Sequence, residues 1–445
     1  MTDQHDKIKR YLDEMCSQVK AREVHTDLRD ELGNHIREMM LDKEQEGLTQ
    51  EEAAAYAIEQ MGDPSAVGKS MHKLHSHRVH WGLIIGLISL AIVSLFLMWI
   101  FTSNVTNTMY QSMYNNHVVY TIIGIILMSF FMFFDYRRWK RSAWWIYVLL
   151  NTILWINLMI SPSLFGTTRF MTGYGFVLDL TTAAMWVLPL AIGAILMDKL
   201  RFNFGVQTIL SYIAMVALPA ALLFQISDWV RLVMFGIISL VLFGWITRKW
   251  LYTVIATVIT ACIGFLLLLT TDSYNRLDRF SVVFNLDDDP MGNGYYNHSI
   301  MGILQSAGWW GNGLDTPFDR FKTSYFDYPG VLLIDVFGWA GGIGLLVAII
   351  WFVASMVKTL PRIRDDFGRM IIVMITSMFA LQMVYSLAMT TGRVPILSVV
   401  FPFIGYGNHL IFDYAMMGLL LGVYRRKDTV SLKNNKSRPT TTPIQ

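Results

Sequence analysis

The feature that most constrains this chain is a series of about ten long apolar runs that are almost free of charged side chains. A helix needs about 20 residues to cross the hydrocarbon core of a bilayer, and each run is close to that length or longer. The runs are 81–101, 118–134, 144–162, 177–197, 206–224, 229–247, 251–270, 331–355, 370–390 and 397–423. Charged residues make up 16% of the chain, where a soluble domain carries about 25%. The sequence therefore predicts an all-α membrane protein with about ten transmembrane helices.

Residues 1–78 differ from the rest because they are polar and carry apolar side chains at helical spacing. Thr49 and Glu52 form a capping-box sequence, which is typical of a helix start. The turn 61–64, with the sequence Met-Gly-Asp-Pro, and the order of the helices resemble the permease-prefix domain of several bacterial membrane proteins. We expect a small cytosolic helical bundle with a docking or regulatory role, and no secretory signal peptide.

Four histidines, His72, His75, His77 and His80, precede the first apolar run. Histidines three positions apart share a helix face and can bind a metal ion. No cysteine or second-shell carboxylate accompanies them, so contact with membrane lipid headgroups is the favoured interpretation, and no metal site is assigned.

Basic residues cluster in alternate connections between the runs, as the positive-inside rule requires of cytoplasmic segments. The basic segments are 135–141, 198–201, 248–249, 358–369 and 425–427. Both termini, including the polar tail 428–445, are then cytoplasmic. The long connection 271–330 is expected to face outside.

The connection 271–330, called the long loop below, carries more acidic than basic residues and many glycines and aromatic residues. Loops of more than about 15 residues are usually functional or disordered. This composition favours a folded loop on the membrane surface. A solvated loop without a catalytic role is the alternative.

Three motifs follow one another in the long loop. They are Arg-Leu-Asp-Arg-Phe at 276–280, Asp-Pro-Met-Gly-Asn-Gly-Tyr at 289–295 and Ser-Ala-Gly-Trp-Trp-Gly-Asn-Gly at 306–313. Their order and spacing resemble the large outer loop of the SEDS proteins of shape, elongation, division and sporulation, a family that includes FtsW, RodA and SpoVE. Ten spans with a large loop between the seventh and eighth are also the topology of that family.

Further segments extend the resemblance over 79–427. Phe-Asp-Tyr at 326–328, followed by Asp335, resembles the family motif that opens the eighth span. The segments 392–395 and 401–407 resemble the last-span signature. The resemblance implies that the protein polymerises lipid II into glycan strands at the outer face of the bacterial cell membrane, in cell shape, division or sporulation. It also implies a class B penicillin-binding transpeptidase as partner, and no nucleic acid.

Asp327 is the catalytic residue that the resemblance implies. A carboxylate in hydrogen-bond reach of the acceptor hydroxyl can act as general base and contributes about 10²–10⁴-fold. An Asp before an apolar run is also typical of a helix N-cap, and the two roles are compatible.

The diphosphate of the substrate needs positive charge, and Arg276, Arg279 and Arg393 lie in the long loop or at the outer end of a span. The further residues expected to contact substrate are Asp289, Tyr295, Ser306, Asp335 and Tyr406. No cofactor is certain. A divalent cation bound by 287–289 is a weak alternative, because consecutive carboxylates in a strand cannot all face one ion.

One segment departs from the family pattern. The family's glutamine–proline–serine–glutamate stretch, with its nearby lysine, is expected where this chain has Val-Leu-Asp-Leu-Thr-Thr-Ala-Ala at 177–184. The glutamate and the lysine are lost unless Asp179 replaces the glutamate. The departure leaves open an inactive scaffold or regulator of wall synthesis. A flippase for a lipid-linked precursor is a third alternative, but it predicts charges deep in several spans, and only Asp335 clearly fits.

Overall fold

The computed structural model describes residues 2–21, 24–74, 76, 78–103, 108–160, 170–173, 176–200, 206–226, 228–255, 257–259, 294–313, 328–397 and 399–428. These residues divide into two compact units, Met1–Val79 with Tyr424–Gln445, and His80–Val423. The second unit is called the membrane unit below. The division runs close to the predicted domain limits 1–78, 79–427 and 428–445, which stay predictions.

The first unit is called the N-terminal unit below. Its described residues form four helices before the membrane unit, α1 Thr2–Ser17, α2 His25–Gln45, α3 Gln50–Met61 and α4 Pro64–Leu74. Their apolar faces form one core around fully buried side chains such as Met15 and Ile36. The capping box predicted at Thr49 and Glu52 is present at the start of α3. Local sequence signals therefore set the helix boundaries here, and burial of the apolar faces holds the helices together.

The membrane unit is built from eleven helices in the described part of the chain. They are α5 Trp81–Ser103, α6 Thr108–Phe133, α7 Arg137–Ile160, α8 Leu180–Leu200, α9 Val206–Gln225, α10 Trp229–Thr247, α11 Trp250–Ile259, α12 Tyr295–Ser306, α13 Pro329–Val357, α14 Asp366–Met389 and α15 His409–Arg425. Within the described ranges, eight of these helices, α5 to α10 with α13 and α14, are long and apolar enough to cross a membrane. The predicted class, a helical membrane protein, is confirmed.

Two of the ten predicted spans differ from this set. The seventh, 251–270, begins as α11, and its remainder from 260 lies outside the described residues. The tenth, 397–423, is not one helix, because turns occupy 402–408 before α15 begins at His409. The turn includes Phe403, whose positive φ of 65° is unusual for a residue with a side chain.

A short antiparallel hairpin, β1 Phe170–Gly173 and β2 Phe176–Asp179, precedes α8 and was not predicted. The prediction that the fourth span begins at 177 was wrong, because 176–179 is a strand and the helix begins at Leu180. The Asp179 carboxylate accepts a hydrogen bond from the backbone N–H of Thr182 at 3.1 Å and so caps the new helix.

Helix α14 packs against α8, α10 and α13, and its contacts show the relative directions of these helices. Its first turns lie beside the last turns of α8 and α10, where Met370 packs on Gly193 close to Ile246. Its far end lies beside the start of α13, where Thr390 packs on Gly330. The starts of α8, α10 and α13 therefore share one end of the bundle, called the loop end below.

Candidate functional site

The start of α13 follows the predicted catalytic residue in the sequence. Tyr328 is the N-cap residue and Pro329 occupies the first helical turn, a position that suits proline. Asp327 directly precedes Tyr328 in the sequence, but it lies outside the described residues, as do Arg276, Arg279 and Asp289. Most side chains of 329–336 are buried, so the protein encloses the first turns of this helix.

Helix α13 is broken at Gly338, whose φ of 69° and ψ of −166° lie far from helical values. In an unbroken helix, the N–H of Trp339 would donate to the carbonyl of Asp335, and that of Ala340 to the carbonyl of Val336. Buried backbone groups without partners cost several kcal/mol each in a membrane environment. The break therefore requires other partners for these groups.

The long loop supplies those partners through its glycine-rich motif. The carbonyls of Asp335 and Val336 accept from the backbone N–H groups of Asn312 at 2.7 Å and Gly313 at 3.3 Å. On the other side of the break, the N–H of Trp339 donates to the Gly308 carbonyl at 3.0 Å, and that of Ala340 to the Trp309 carbonyl at 3.2 Å. We call residues 308–313 together with 335–340 the loop clasp.

Two glycines make this close approach possible. Gly311 has a φ of 81°, and a Cβ there would lie within 2.5 Å of backbone atoms of Val336 and Gly338. A Cβ on Gly338 would in turn meet the backbone of Trp309 and Gly311. Backbone atoms cannot move aside as a flexible side chain can, so both positions require glycine.

Asp335 belongs to the loop clasp. Its side chain is 6% exposed, and it accepts a hydrogen bond from Asn312 Nδ2 at 2.8 Å. Asn312 therefore binds Asp335 twice, once through its backbone and once through its side chain. Substrate contact by Asp335 stays a prediction.

Two other predicted residues, Tyr295 and Arg393, belong to segments that are hydrogen-bonded to each other. Tyr295 is the first residue of α12, and Asn297 of the same helix donates to the carbonyls of Gly392 at 2.8 Å and Val394 at 3.1 Å. Arg393, between these two carbonyls, is exposed. Ser306 is also exposed, at the end of α12. The structure thus groups three of the predicted residues around α12, which leads directly into the loop clasp.

Tyr406 lies elsewhere, in the turn before α15. Its ring stacks on His117 of α6 with 6.1 Å between ring centroids. The buried His117 is hydrogen-bonded to Ser94 at 2.8 Å, and Ser94 donates to the Ile404 carbonyl at 3.1 Å. Tyr406 therefore covers a polar contact between α5, α6 and the turn.

A buried charge cluster at the loop end was missed from the sequence. Arg231 of α10 binds Asp179 with Nη2 at 2.7 Å and Asp228 with Nη1 at 2.8 Å, and its Nε donates to Thr182 at 3.1 Å. The Thr181 hydroxyl lies 2.8 Å from both carboxylates. All three charged side chains are buried, so each carboxylate relies on Arg231 for compensation.

The signal for this cluster was an arginine three residues into the apolar run 229–247. An ionisable residue inside a span marks a functional or paired position by default. From the sequence only Asp335 was singled out as a charge deep in the spans; Arg231 and Asp413 are buried in the protein as well. Asp413 accepts a hydrogen bond from the backbone N–H of Phe403 at 3.3 Å.

A metal site is not seen in the described residues, where no group of three or more His, Cys, Asp or Glu side chains is placed to hold an ion. The weak candidate 287–289 lies outside those residues, as do His75 and His77. Of the other two histidines, His72 Nδ1 is 3.4 Å from the backbone nitrogen of Lys20, and His80 Nδ1 is 3.1 Å from that of Leu83.

Curated relatives of the chain are bacterial. A "Probable peptidoglycan glycosyltransferase FtsW" of Geobacter metallireducens is 27% identical over 324 residues, which cover 69% of this chain and 84% of the relative. The "Stage V sporulation protein E" of Bacillus subtilis is 26% identical over 166 residues, 36% of this chain and 45% of the relative.

Solved structures show the same fold. A chain from a peptidoglycan synthase complex that coordinates polymerization and crosslinking matches with a TM-score of 0.63 at 17% identity, covering 78% of this chain and 98% of the other. The rod shape determining protein RodA of Thermus thermophilus matches with a TM-score of 0.57 at 16% identity, covering 78% of this chain and 97% of RodA.

A family model named for FtsW, RodA and SpoVE and described as "Cell cycle protein" matches residues 77–429. The match contains the long loop, the loop clasp and the charge cluster, and it covers most of the 445 residues. The chain therefore belongs to the FtsW/RodA/SpoVE family of membrane proteins, the SEDS family.

Proposed function

We propose that this protein is a peptidoglycan glycosyltransferase that polymerises lipid II into glycan strands. The observation that carries the proposal is the family match over 77–429, together with relatives that are named peptidoglycan glycosyltransferases. The loop clasp adds a structural reason, because it ties the long loop to the helix that follows Asp327.

The reaction requires one proton transfer and one displacement. The acceptor hydroxyl oxygen forms a bond to the anomeric carbon of the donor sugar, while the bond from that carbon to the diphosphate oxygen breaks. The hydroxyl proton passes to a carboxylate, and we assign this role to Asp327. In the sequence Asp327 directly precedes Tyr328, the N-cap residue of α13.

The leaving diphosphate needs cations, and we assign this role to Arg276, Arg279 and Arg393. Arg393 is exposed beside α12 and so is open to a ligand. Arg231 is unsuited to the role, because two carboxylates already hold its guanidinium group. Further substrate contacts are proposed for Asp289, Tyr295, Ser306 and Tyr406, whereas Asp335 is already engaged by Asn312 in the loop clasp.

The chain is a multi-pass membrane protein, and we propose that both termini lie in the cytoplasm of a bacterial cell. Lys199 and Lys358 lie at the ends of α8 and α13, opposite the loop end. Arg137 begins α7, and the 3.0 Å ion pair of Lys140 with Asp198 puts the start of α7 beside the end of α8. The positive-inside rule makes that end cytoplasmic, so the loop end faces outside, where lipid II is polymerised.

We propose a class B penicillin-binding transpeptidase as partner of the membrane unit. The structural similarity to a synthase complex that couples polymerization with crosslinking supports this choice. For the N-terminal unit we keep the proposal of a permease-prefix-like docking or regulatory domain.

An inactive scaffold is the second candidate, because 177–184 lacks the family's glutamate and lysine. The charge cluster argues for activity, since Asp179 retains an acid there and α10 supplies a basic partner in Arg231. A flippase gains some support from the buried Arg231 and Asp413. However, Arg231 is already neutralised by two aspartates.

Purified full-length protein in lipid vesicles, supplied with fluorescent lipid II, tests the proposal. We expect glycan polymer from the wild type and a loss of about 10²-fold or more in Asp327→Asn, because the general base is gone. Asp315→Asn, in the same loop, is the matched control and should polymerise normally. Absence of polymer from the wild type, with and without a class B transpeptidase, would favour the scaffold.

A further inference from the structure

The loop clasp makes part of the long loop a structural component of α13. A continuous helix would join Trp339 to Asp335 and Ala340 to Val336 by its own hydrogen bonds. All four of these backbone groups instead bond to residues 308–313. The loop thus provides hydrogen-bond partners for the backbone groups on both sides of the break.

The segment before the break, 329–337, cannot hold its position alone. Isolated helices shorter than about 12 residues are marginal in stability. The non-helical backbone of Gly338 also uncouples the direction of segment 329–337 from that of the helical residues after Gly338. Its placement therefore depends on burial and on the loop clasp.

We propose that the loop clasp positions the start of α13, which follows Asp327 in the sequence, and that Gly311, Asn312 and Gly338 are positioning residues for the glycosyl transfer. This inference rests on the proposed function. The clasp holds 335–336, the last turn of the short segment, while Asp327 precedes the N-cap residue Tyr328 in the sequence. A shift of the clasp is passed along one short helix to the carboxylate.

Asn312 is the central contact because it binds both the backbone carbonyl and the carboxylate of Asp335. The side-chain contact joins an amide donor to a carboxylate acceptor, which is a strong pairing. The amide and the carboxylate can be exchanged between positions 312 and 335 without changing the size of either side chain. Asn312→Asp brings two carboxylates together, whereas Asn312→Asp combined with Asp335→Asn restores an amide–carboxylate pair in the reverse sense.

The exchange is tested by steady-state kinetics of full-length protein in vesicles with lipid II. We expect Asn312→Asp to lower kcat by about 10²-fold, the scale of a displacement of about 1 Å at a catalytic group. KM should change by less than about threefold, because the clasp positions the base and does not bind substrate. The exchanged double variant should recover kcat to within about threefold of the wild type.

The single variant Asp335→Asn separates positioning from substrate contact. Two amides can still pair, so positioning predicts a small change in kcat for this variant. If the Asp335 carboxylate instead contacts substrate, Asp335→Asn and the exchanged double variant should be equally impaired. That result would overturn the positioning role of the pair.

Substitution of the glycines tests the positioning role independently of the Asn312–Asp335 pair. Gly338→Ala should lower kcat, because its Cβ would meet the backbone of Trp309 and Gly311. Gly344→Ala in the same helix is the matched control, since a Cβ there meets nothing within 4 Å. An elution profile like that of the wild type shows that each variant is folded.

The two proposals fail in different ways. Polymer from the wild type, with kcat unchanged in both Asn312→Asp and Gly338→Ala, would overturn the positioning role and leave the proposed function intact. A wild type without polymerase activity would overturn both.

Discussion

The N-terminal unit and the membrane unit begin their helices with the same local device, and they use it in opposite surroundings. In the first unit, Thr49 accepts from the N–H of Glu52 at 3.4 Å, and Asp63 from that of Ala66 at 2.9 Å. In the second, Asp228 accepts from the N–H of Arg231 at 3.3 Å, and Asp179 caps α8 in the same way. Each cap receives the N–H of the residue three positions on.

The difference lies in what surrounds the cap. The caps of the N-terminal unit are exposed, and their partners come from the same turn. The caps of the membrane unit are buried, and Arg231 joins the two across helices. An exposed cap stabilises a helix by about 1 kcal/mol, whereas breaking a buried ion pair costs about 3–5 kcal/mol. One sequence signal therefore carries very different energetic weight in the two units.

The largest expected effect is that of Arg231→Met. The substitution leaves two buried carboxylates without a cation, and we expect the free energy of unfolding to fall by about 3–5 kcal/mol. Reversible unfolding of the full-length protein in mixed micelles, followed by circular dichroism, measures the change. Arg248→Met is the matched control, because Arg248 is exposed at the other end of α10.

A further variant shows whether charge is the cause. Arg231→Met combined with Asp179→Asn and Asp228→Asn removes all three charges while keeping an oxygen at each cap. Stability should then recover by more than half, since no uncompensated charge stays buried. Equal losses in Arg231→Met and Arg248→Met would show that burial gives these caps no added weight.

Thr49→Ala tests the exposed side of the comparison. The loss of the hydroxyl should destabilise the start of α3 by about 1 kcal/mol, which corresponds to an about fivefold larger equilibrium constant for opening. Hydrogen exchange of the full-length protein, read in peptides covering 50–61, measures this locally. Thr26→Ala, inside α2, is the control and should leave exchange in those peptides unchanged.

The sequence was most informative where the determinants of structure are local. The Thr49–Glu52 cap and the spans were predictable because a few neighbouring residues, or one run, carry the signal. Arg231 was missed because its partner Asp179 is far away in the chain and hydropathy averages over a single charge. The break at Gly338 was missed for a similar reason, since hydropathy does not report where backbone hydrogen bonds are lost.

The candidate site shows the same limit. The motif 306–313 and Asp335 were both singled out from the sequence, but their contact through Asn312 depends on the folded loop. Tyr295 and Arg393 were predicted as separate residues, and Asn297, which joins their segments, carried no sequence signal.

The smallest expected effect is a pH dependence of the exposed cap. Hydrogen bonds from the side chain and backbone of Thr49 lower the pKa of the Glu52 carboxyl below its ordinary value. A lowered pKa in the folded state means that the cap is fully stabilising above the unfolded pKa and weakens as pH falls through the folded one. Exchange in peptides covering 50–61, corrected for the intrinsic rate, should therefore show α3 opening more readily at acid pH. Glu52→Gln keeps the hydrogen bonds but cannot titrate, so its corrected rate should stay flat. An equal acid response in Glu52→Gln would place the titrating group elsewhere in the N-terminal unit.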